Sequence, residues 1–282
     1  MSSKYSVIAT IHLPRLPHSS VKSDLDLGQI IERAVSETRT LEELGYDGVI
    51  VENFGDYPYR KRVRDPLTLA SMSIIVREIV KSTSLEVGVN LLRNSGREAY
   101  AIAVAAKASF IRVNALIESI VSDSGLIEAE APRLFVIRRN YPQVKIYADI
   151  SVKHATSLDI SLGILRETHP MLSKSSNITE FIKALTQDYV ERGGADKLIA
   201  TGLRSGSPPQ LDFLKTLKKS SPVPVLIGSG ANTENIKSLY KYSDGVIIGS
   251  FIRESGRAGA PLDIERARSF IRTVREITLS NT

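Results

Sequence analysis

Residues 46–53, YDGVIVEN, form a short run of mainly apolar, β-branched residues that ends in a carboxylate and an amide. The run is nearly continuous in its apolar character, as expected for a strand of a parallel sheet that is covered on both faces. Seven further runs share this character: YSVIATIHL (5–13), LEVGVNLL (85–92), SFIRVNAL (109–116), VKIYADIS (144–151), ADKLIATG (195–202), VPVLIGSG (223–230) and SDGVIIGS (243–250). We therefore predict eight strands along the chain.

Segments with the apolar spacing of helices lie between these strands. The first carries apolar or small residues at helical intervals and closes at Gly45: Ile30, Ile31, Ala34, Thr38, Leu41 and Leu44. Asp65 and Pro66 have the residue types of an N-cap and a first helical position, and they open a helix that reaches Lys81. Two more helices are predicted over residues 177–194 and 263–277.

The strict alternation of strands and helices predicts parallel strands joined by right-handed crossovers. Eight such units predict a (β/α)8 barrel, and a barrel of about 250 residues agrees with a single domain over residues 1–282. An open, doubly wound sheet is the alternative architecture. It offers no reason for the pattern to stop at eight units.

The composition is that of an ordinary soluble protein, with 42% hydrophobic and 24% charged residues. No stretch approaches the ~20 apolar residues of a membrane span, and MSSKYSVIAT lacks the apolar core of a signal peptide. Peripheral association with a membrane is left open. Without cysteine the chain can form neither disulfides nor thiolate metal sites. We therefore expect a cytoplasmic protein.

The net charge of +6 raises the question of a nucleic acid or phosphate partner. The densest basic run, Arg60 to Arg64, does not extend into a basic arm, and the chain has no tryptophan and only 6% aromatic residues. Little is therefore available for stacking on bases. A solvated basic surface is the favoured interpretation, and no nucleic acid partner is expected.

Polar residues gather at the C-terminal ends of the predicted strands, where barrel enzymes place their chemistry. In chain order they are His12, Glu52, Asn53, Asn90, Arg93, Arg112, Asn114, Asp149, Ser151, Lys153, His154 and Thr201. Because side chains alternate along a strand, Arg112 and Asn114 share a face, as do Asp149 and, if the strand continues, Lys153. An inward Arg112 requires a carboxylate partner, either Glu52 or Asp149.

These residues divide into two groups of candidates. The catalytic candidates are Lys153, Asp149, Glu52, His154 and His12, and the substrate-binding candidates are Asn53, Asn90, Arg93, Arg112, Asn114 and Thr201. Lys153 or His154 would act as general acid/base or electrophile, and a Schiff base at Lys153 is one option. Glu52, Asp123 and Asp149 could instead hold Mg²⁺, although no motif demands a metal. The alternative is a buried ion network of Arg112, Glu52 and Asp149 that fills the barrel without chemistry.

Strands seven and eight end in the glycine-containing turns GSGAN (228–232) and GSFIR (249–253). Such turns let backbone N–H groups approach an anion, and a following helix adds the positive end of its dipole. We therefore predict a phosphate site formed by Gly202, Gly228, Ser229, Gly230, Asn232, Gly249 and Ser250. The alternative is that the glycines serve only the tight turns between strand and helix.

Two connections are long for a compact fold, one over residues 152–177 and one around residues 121–128. Long loops on a barrel are usually functional or mobile. We predict that the loop 152–177, which follows the candidate residues of the fifth strand, is a lid over the site.

Seven blocks of the sequence resemble the BtpA family, whose members are named for a role in photosystem I biogenesis. They are IHLPRLPHS (11–19), LEELGYDGVIVENFGDYPY (41–59), GVNLLRN (88–94), FIRVNAL (110–116), YADISVKHA (147–155), ADKLIATG (195–202) and VPVLIGSGANTENI (223–236). Two positions depart from the family pattern. Ser151 stands where the family has a histidine, and His18 stands where it has a glycine.

The resemblance implies a barrel of the ribulose-phosphate-binding type without implying a known reaction. One hypothesis is an enzyme that acts on a small phosphorylated ligand, such as a sugar phosphate or a nucleotide-derived compound. The other is a non-catalytic assembly or stability factor for a membrane complex, with the barrel as a binding scaffold. Barrels of this type often associate through their outer helices, so a homo-oligomer is expected.

Overall fold

The structure, a computed structural model, describes residues 4–18, 22–150, 155–157, 178–202 and 208–280. Its central feature is a closed barrel of eight parallel strands. In barrel order these are β1 (Ser6–His12), β2 (Gly48–Glu52), β3 (Glu86–Asn90), β4 (Phe110–Val113), β7 (Lys145–Ile150), β9 (Lys197–Ala200), β10 (Val225–Ile227) and β11 (Gly245–Ile248). Because β1 pairs with both β2 and β11, the sheet has no edge. The predicted barrel is confirmed and the open sheet is excluded.

Eight α-helices lie within the described residues and alternate with the barrel strands. They are α1 (Leu27–Glu43), α2 (Pro66–Ser82), α3 (Gly96–Ala106), α4 (Ala131–Asn140), α5 (Ile178–Glu191), α6 (Leu211–Ser220), α7 (Ile236–Tyr240) and α8 (Ile264–Ser280). Asp26 caps α1 through a capping box with Gln29. Asp65 stands at the N-cap of α2 but makes no capping hydrogen bond with its side chain. None of the described helices is long and apolar enough to cross a membrane.

A small antiparallel sheet adds to the barrel and was not predicted. It consists of β5 (Ile120–Ser122), β6 (Gly125–Ile127) and β8 (Ala155–Ser157), with β5 in the middle. The connection around residues 121–128 is therefore a β-hairpin and not an irregular loop. The remaining residues of the predicted lid, 152–154 and 158–177, lie outside the described part of the chain.

The barrel interior is filled at mid-height by a layer of apolar side chains, one from almost every strand. They are Ile8, Ile50, Phe110, Tyr147, Ile199, Leu226 and Ile247. The rings of Phe110 and Tyr147 stack with their centroids 4.1 Å apart. Gly88 occupies the eighth position, where a Cβ atom would lie 2.2 Å from the Phe110 ring. The glycine is therefore required by the close approach of this ring.

This apolar layer determines which residues reach the mouth of the barrel. Side chains of the same face recur every second residue along a strand. Two residues beyond the apolar layer, the eight strands carry Thr10, Glu52, Asn90, Arg112, Asp149, Thr201, Gly228 and Gly249. The inward positions at the C-terminal end are thus polar or glycine on every strand, directly above a packed apolar floor.

Candidate active site at the C-terminal mouth of the barrel

A cavity of about 480 Å³ opens at the C-terminal mouth. The candidates that line it are His12, Glu52, Arg93, Arg112, Asn114, Asp149, Gly228, Ser229, Gly230, Asn232, Gly249 and Ser250. The volume lies in the range of small-molecule sites, which hold a few polar groups on mainly apolar walls. The one-sided distribution of polar residues along the sequence therefore corresponds to one concave site.

One side of the mouth is held by a buried ion pair between Arg112 and Asp149. Arg112 donates from Nε and Nη2 to the two carboxylate oxygens, each over 3.0 Å. Asn114 Nδ2 donates to Asp149 Oδ2 over 2.6 Å. Burial alone would lower the pKa of Arg112, but the charges of Asp149 and Glu52 raise it above its ordinary value. Arg112 is therefore a permanent cation in the floor of the cavity.

A second polar group is formed by His12 and Glu52, the last residues of β1 and β2. Their register places them side by side, with His12 Nε2 3.9 Å from Glu52 Oε2. The other carboxylate oxygen accepts a hydrogen bond of 2.6 Å from Asn90 Nδ2. His12 Nδ1 accepts the N–H of Gly259 over 3.4 Å, which favours the neutral tautomer with its proton on Nε2. An acid and a base therefore lie together at the mouth.

The two glycine turns form the wall of the cavity above β10 and β11, next to His12. Gly230 has φ of +74°, a left-handed conformation that favours glycine. The Asn235 side chain holds this turn by donating to Gly230 O and accepting from Asn232 N. Within the described residues, no hydrogen bond of this turn uses the N–H groups of Gly230 and Ala231, and both residues line the cavity. They are available to an anion.

An α-helix follows only the first of these two turns, and it is short. The turn after β10 leads into α7, which has five residues, and β11 leads into a 3₁₀ turn of three residues, Ser250–Ile252. The side chain of Asn232 is also used within the turn, because its Oδ1 accepts the N–H groups of Glu234 and Asn235. Any anion here would be held by turn N–H groups and by side chains.

A cation that was not predicted from the sequence lies beside the second glycine turn. Arg266, in the first turn of α8, lines the cavity beside the second glycine turn. Its Nε donates to Phe251 O over 2.6 Å and its guanidinium lies 4.8 Å from the Phe251 ring centroid. No carboxylate of the described residues forms an ion pair with it. The positive charge is therefore held in place by neutral groups and is open to an anion.

Four of the candidates that the structure describes do not line the mouth cavity: Asn53, Asn90, Thr201 and Gly202. Asn53 connects two loops, since its side chain donates to Asp56 and accepts the N–H of Leu92. Asn90 supports Glu52 from behind, and its Oδ1 is buried without a hydrogen-bond partner. The N–H of Gly202 donates to Ser229 Oγ over 3.3 Å. Asn53 and Asn90 therefore support their neighbours, and Gly202 contacts the glycine turn.

Of the polar residues predicted at the end of the fifth strand, Asp149 is described and the three that follow it lie outside the described residues. Ser151, Lys153 and His154 directly follow β7, and their roles stay predictions from the sequence.

The three carboxylates of the possible Mg²⁺ site all lie within the described residues. Each carboxylate is engaged elsewhere: Glu52 with Asn90, Asp123 with Arg93, and Asp149 with Arg112 and Asn114. Among the described residues no group of three acidic or histidine side chains has the geometry to hold a metal ion.

Four aromatic side chains that line the mouth were also missed: Phe54, Tyr57, Tyr59 and Phe251. Phe54 packs against His12 with ring centroids 4.6 Å apart. Burial, assisted by the nearby Glu52 charge, raises the pKa of Tyr59, so its hydroxyl stays protonated. Each of these residues directly follows a barrel strand or its turn, which is the only signal the sequence offered.

The sequence model of the BtpA family matches residues 3–276. This chain belongs to the BtpA family. A relative from Pyrococcus horikoshii, an uncharacterised protein, is 39% identical over 96% of this chain and 96% of its own. The Photosystem I biogenesis protein BtpA of Synechocystis is 37% identical over 96% of this chain and 88% of its own. The resemblance of the seven sequence blocks is thereby confirmed.

Among solved structures, N-(5'-phosphoribosyl)anthranilate isomerase from Pyrococcus furiosus superposes with a TM-score of 0.56. The alignment covers 96% of the BtpA-family chain and 100% of the isomerase at 14% identity. At this identity the likeness shows the fold alone. It agrees with the closed barrel of parallel strands.

Proposed function

We propose that this BtpA-family protein is a cytoplasmic enzyme that binds a small phosphorylated metabolite, either a sugar phosphate or a nucleotide-derived compound. Its reaction on this metabolite would proceed by general acid–base catalysis. One observation carries the proposal. A single cavity is lined on one wall by the glycine turns and Arg266, and on the adjoining wall by His12 and Glu52. The first wall suits a phosphate and the second suits acid–base chemistry.

The phosphate would lie against the glycine turns. The N–H groups of Gly230 and Ala231 and the Arg266 guanidinium are donors of the type that bind phosphate oxygens in proteins. Arg266 lies beside the turn that contains Ser250, since it donates to the carbonyl of the next residue, Phe251. The fold gives general support, because phosphate sites after strands seven and eight recur in barrels.

The reacting atom would lie close to the phosphate. A Cβ atom added to Gly249 would stand 3.3 Å from His12 Cε1, so the second glycine turn and the histidine are direct neighbours. A small ligand therefore suffices to contact both. In the proposed step, the Glu52 carboxylate removes a proton from a carbon or hydroxyl group near the phosphate. The Nε2–H of His12 supplies a proton to the oxygen that gains electrons.

The buried Arg112 cation would stabilise negative charge that develops on the ligand. Its bidentate pairing to Asp149 fixes the guanidinium in one orientation, and preorganised charges of this kind need no rearrangement during the reaction. Lys153 and His154 follow Asp149 in the sequence and remain the predicted additional acid–base groups of this site. The isomerase of the same fold acts on a phosphoribosyl compound, as its name states.

A second candidate function is a non-catalytic role in the assembly of a membrane complex. It is favoured by the name of the Synechocystis relative, Photosystem I biogenesis protein BtpA. A binding scaffold has no need for buried acid–base groups on a concave mouth, whereas His12, Glu52, Arg112 and Asp149 are all buried there. We therefore place the enzymatic function first.

A thermal-shift screen with matched pairs of ligands tests the proposal. Each pair consists of a phosphorylated metabolite and the same compound without its phosphate. We expect at least one phosphorylated member to raise the melting temperature while its partner does not, because a ligand that binds only the native state stabilises it. If no phosphorylated compound stabilises the protein, or if the phosphate makes no difference within any pair, the phosphate site is refuted.

A further inference from the structure

A second cavity, of about 280 Å³, adjoins the mouth between the loops that follow β1 and β2. Its walls are mainly apolar and include Leu16, Tyr57, Tyr59, Val63 and Leu92, with the carboxylate of Asp56 among them. Tyr57, Tyr59 and Leu92 also line the mouth cavity. The two cavities are therefore neighbours that share one wall.

Tyr59, in the middle of the shared wall, is held by contacts on several sides. The Tyr59 hydroxyl donates to Phe54 O over 2.8 Å, and the Arg93 guanidinium lies 4.8 Å from the Tyr59 ring centroid. The hairpin of β5 and β6 completes the wall. Asp123 in its turn pairs with Arg93 at 2.7 Å, and Ser124 Oγ donates to Tyr59 O over 2.9 Å. A partition fixed on both sides gives the second cavity a defined shape.

The polar residues of the lining include Asp56, together with Asp65, Thr68, His18 and the arginines Arg15, Arg60 and Arg64. Asp56 Oδ1 accepts the N–H of Leu16 over 2.9 Å, and Oδ2 accepts from Asn53 Nδ2 over 3.0 Å. Each carboxylate oxygen can accept a further hydrogen bond. A pocket with mainly apolar walls and an acceptor that two hydrogen bonds hold in place suits a flat ring that carries an N–H or O–H group.

We propose that the second cavity is a subsite for a flat, apolar ring of the ligand whose phosphorylated part occupies the mouth. The proposal rests on the proposed function and specifies its substrate class: a phosphorylated compound with an aromatic or similarly flat ring. The ring passes beside the shared wall of Tyr57, Tyr59 and Leu92 and lies against Leu16 and Val63. A ring N–H or O–H group donates to Asp56.

Indole is a suitable probe, since it is a flat ring with one N–H donor. The chain contains no tryptophan, so indole fluorescence excited beyond the tyrosine absorption reports the probe alone. We expect saturable binding to the wild-type protein. Val63→Phe places a ring inside the cavity, and we expect it to weaken indole binding by at least about tenfold. Ile74→Phe, at an exposed position of α2 that lines neither cavity, should leave binding unchanged.

A second variant tests the same prediction in case Val63→Phe does not fold. Tyr57 is 61% exposed and therefore tolerant of truncation. Tyr57→Ala should weaken indole binding by about threefold to tenfold, the range of single aromatic contacts. The proposal is overturned if indole does not bind, or if neither Val63→Phe nor Tyr57→Ala weakens binding beyond the Ile74→Phe control.

Inorganic phosphate separates this proposal from the proposed function. Because phosphate would occupy the glycine turns and indole the second cavity, saturating phosphate should leave indole binding intact. Displacement of indole by phosphate would contradict a separate subsite. If indole binds as described while no phosphorylated compound stabilises the protein, the proposed function fails and the ring site stands as a binding site of its own.

Discussion

Arg112 and Asp149 form a bidentate ion pair between adjacent strands β4 and β7, with both N–O distances 3.0 Å and both side chains buried. Asp149→Asn removes the charge that compensates a buried guanidinium. We expect a loss of about 3–5 kcal/mol in the free energy of unfolding, the usual cost of breaking a buried pair from one side. Urea denaturation of the variant and the wild type measures it.

The double variant Arg112→Met/Asp149→Leu distinguishes a structural role of the ion pair from a role in the reaction. Replacing both charges by apolar groups of similar volume is often neutral for stability. We expect a folded protein close to the wild type in stability that no longer turns over the ligand found by the metabolite screen. A double variant that retains full turnover would show that the ion pair only fills the barrel, which is the alternative that the sequence left open.

Glu52→Gln tests the acid–base pair at the mouth. Glutamine keeps an oxygen for the hydrogen bond from Asn90 but cannot accept a proton from the ligand. With a turned-over ligand, kcat should fall by about 10²–10⁴-fold while ligand binding changes little. Glu86→Gln is the matched control. Glu86 is the first residue of β3 and lies at the end of the barrel away from the mouth, so this variant should retain activity. Equal losses in both variants would contradict a role for Glu52 in proton transfer.

Lys197 provides a test of the electrostatics at the bottom of the barrel. Its Nζ lies 4.5 Å from the Tyr147 ring centroid, and burial lowers its pKa despite the opposing charges of Glu86 and Asp244. Since the folded protein holds this proton less tightly than the unfolded chain, stability rises with pH between the lowered pKa and the ordinary value of 10.5. The stability gained at high pH is lost as the pH falls through the lowered pKa of Lys197.

Lys197→Met removes this dependence. We expect the stability difference between wild type and Lys197→Met, measured by urea denaturation, to shift in favour of the wild type as the pH rises from 8 toward 10.5. Lys237→Met on the exposed face of α7 should show no such shift. A pH-independent difference for Lys197→Met would refute the lowered pKa.

The barrel and most of its mouth could be predicted from the sequence because both follow from strand periodicity. Runs covered on both faces are apolar almost throughout, so a polar residue such as Glu52 or Arg112 at a strand end stands out. Parallel strands in a closed barrel bring all their C-terminal ends to one place. For this reason His12 and Asp149, distant in sequence, could be assigned to one site.

The parts that could not be predicted depend on contacts between distant segments. Arg266 reaches the mouth only because α8 returns to the turn after β11, and nothing near it in the sequence marks that return. The hairpin of β5 and β6 has three-residue strands with Val121 and Leu126 exposed, a pattern that resembles a loop. Arg253 looks like a surface residue, yet it is buried and pairs with Glu37 at 2.5 Å.

One substitution tests directly whether the glycine turns of the mouth bind phosphate. Ser250 lines the cavity at the second turn, so Ser250→Asp places a negative charge where the phosphate would lie. Ser238→Asp adds the same charge on the exposed face of α7, away from the cavity. The measurement is the rise in melting temperature caused by the stabilising phosphorylated compound. We expect Ser250→Asp to abolish this rise and Ser238→Asp to preserve it; an undiminished rise in Ser250→Asp would rule out phosphate binding at this turn.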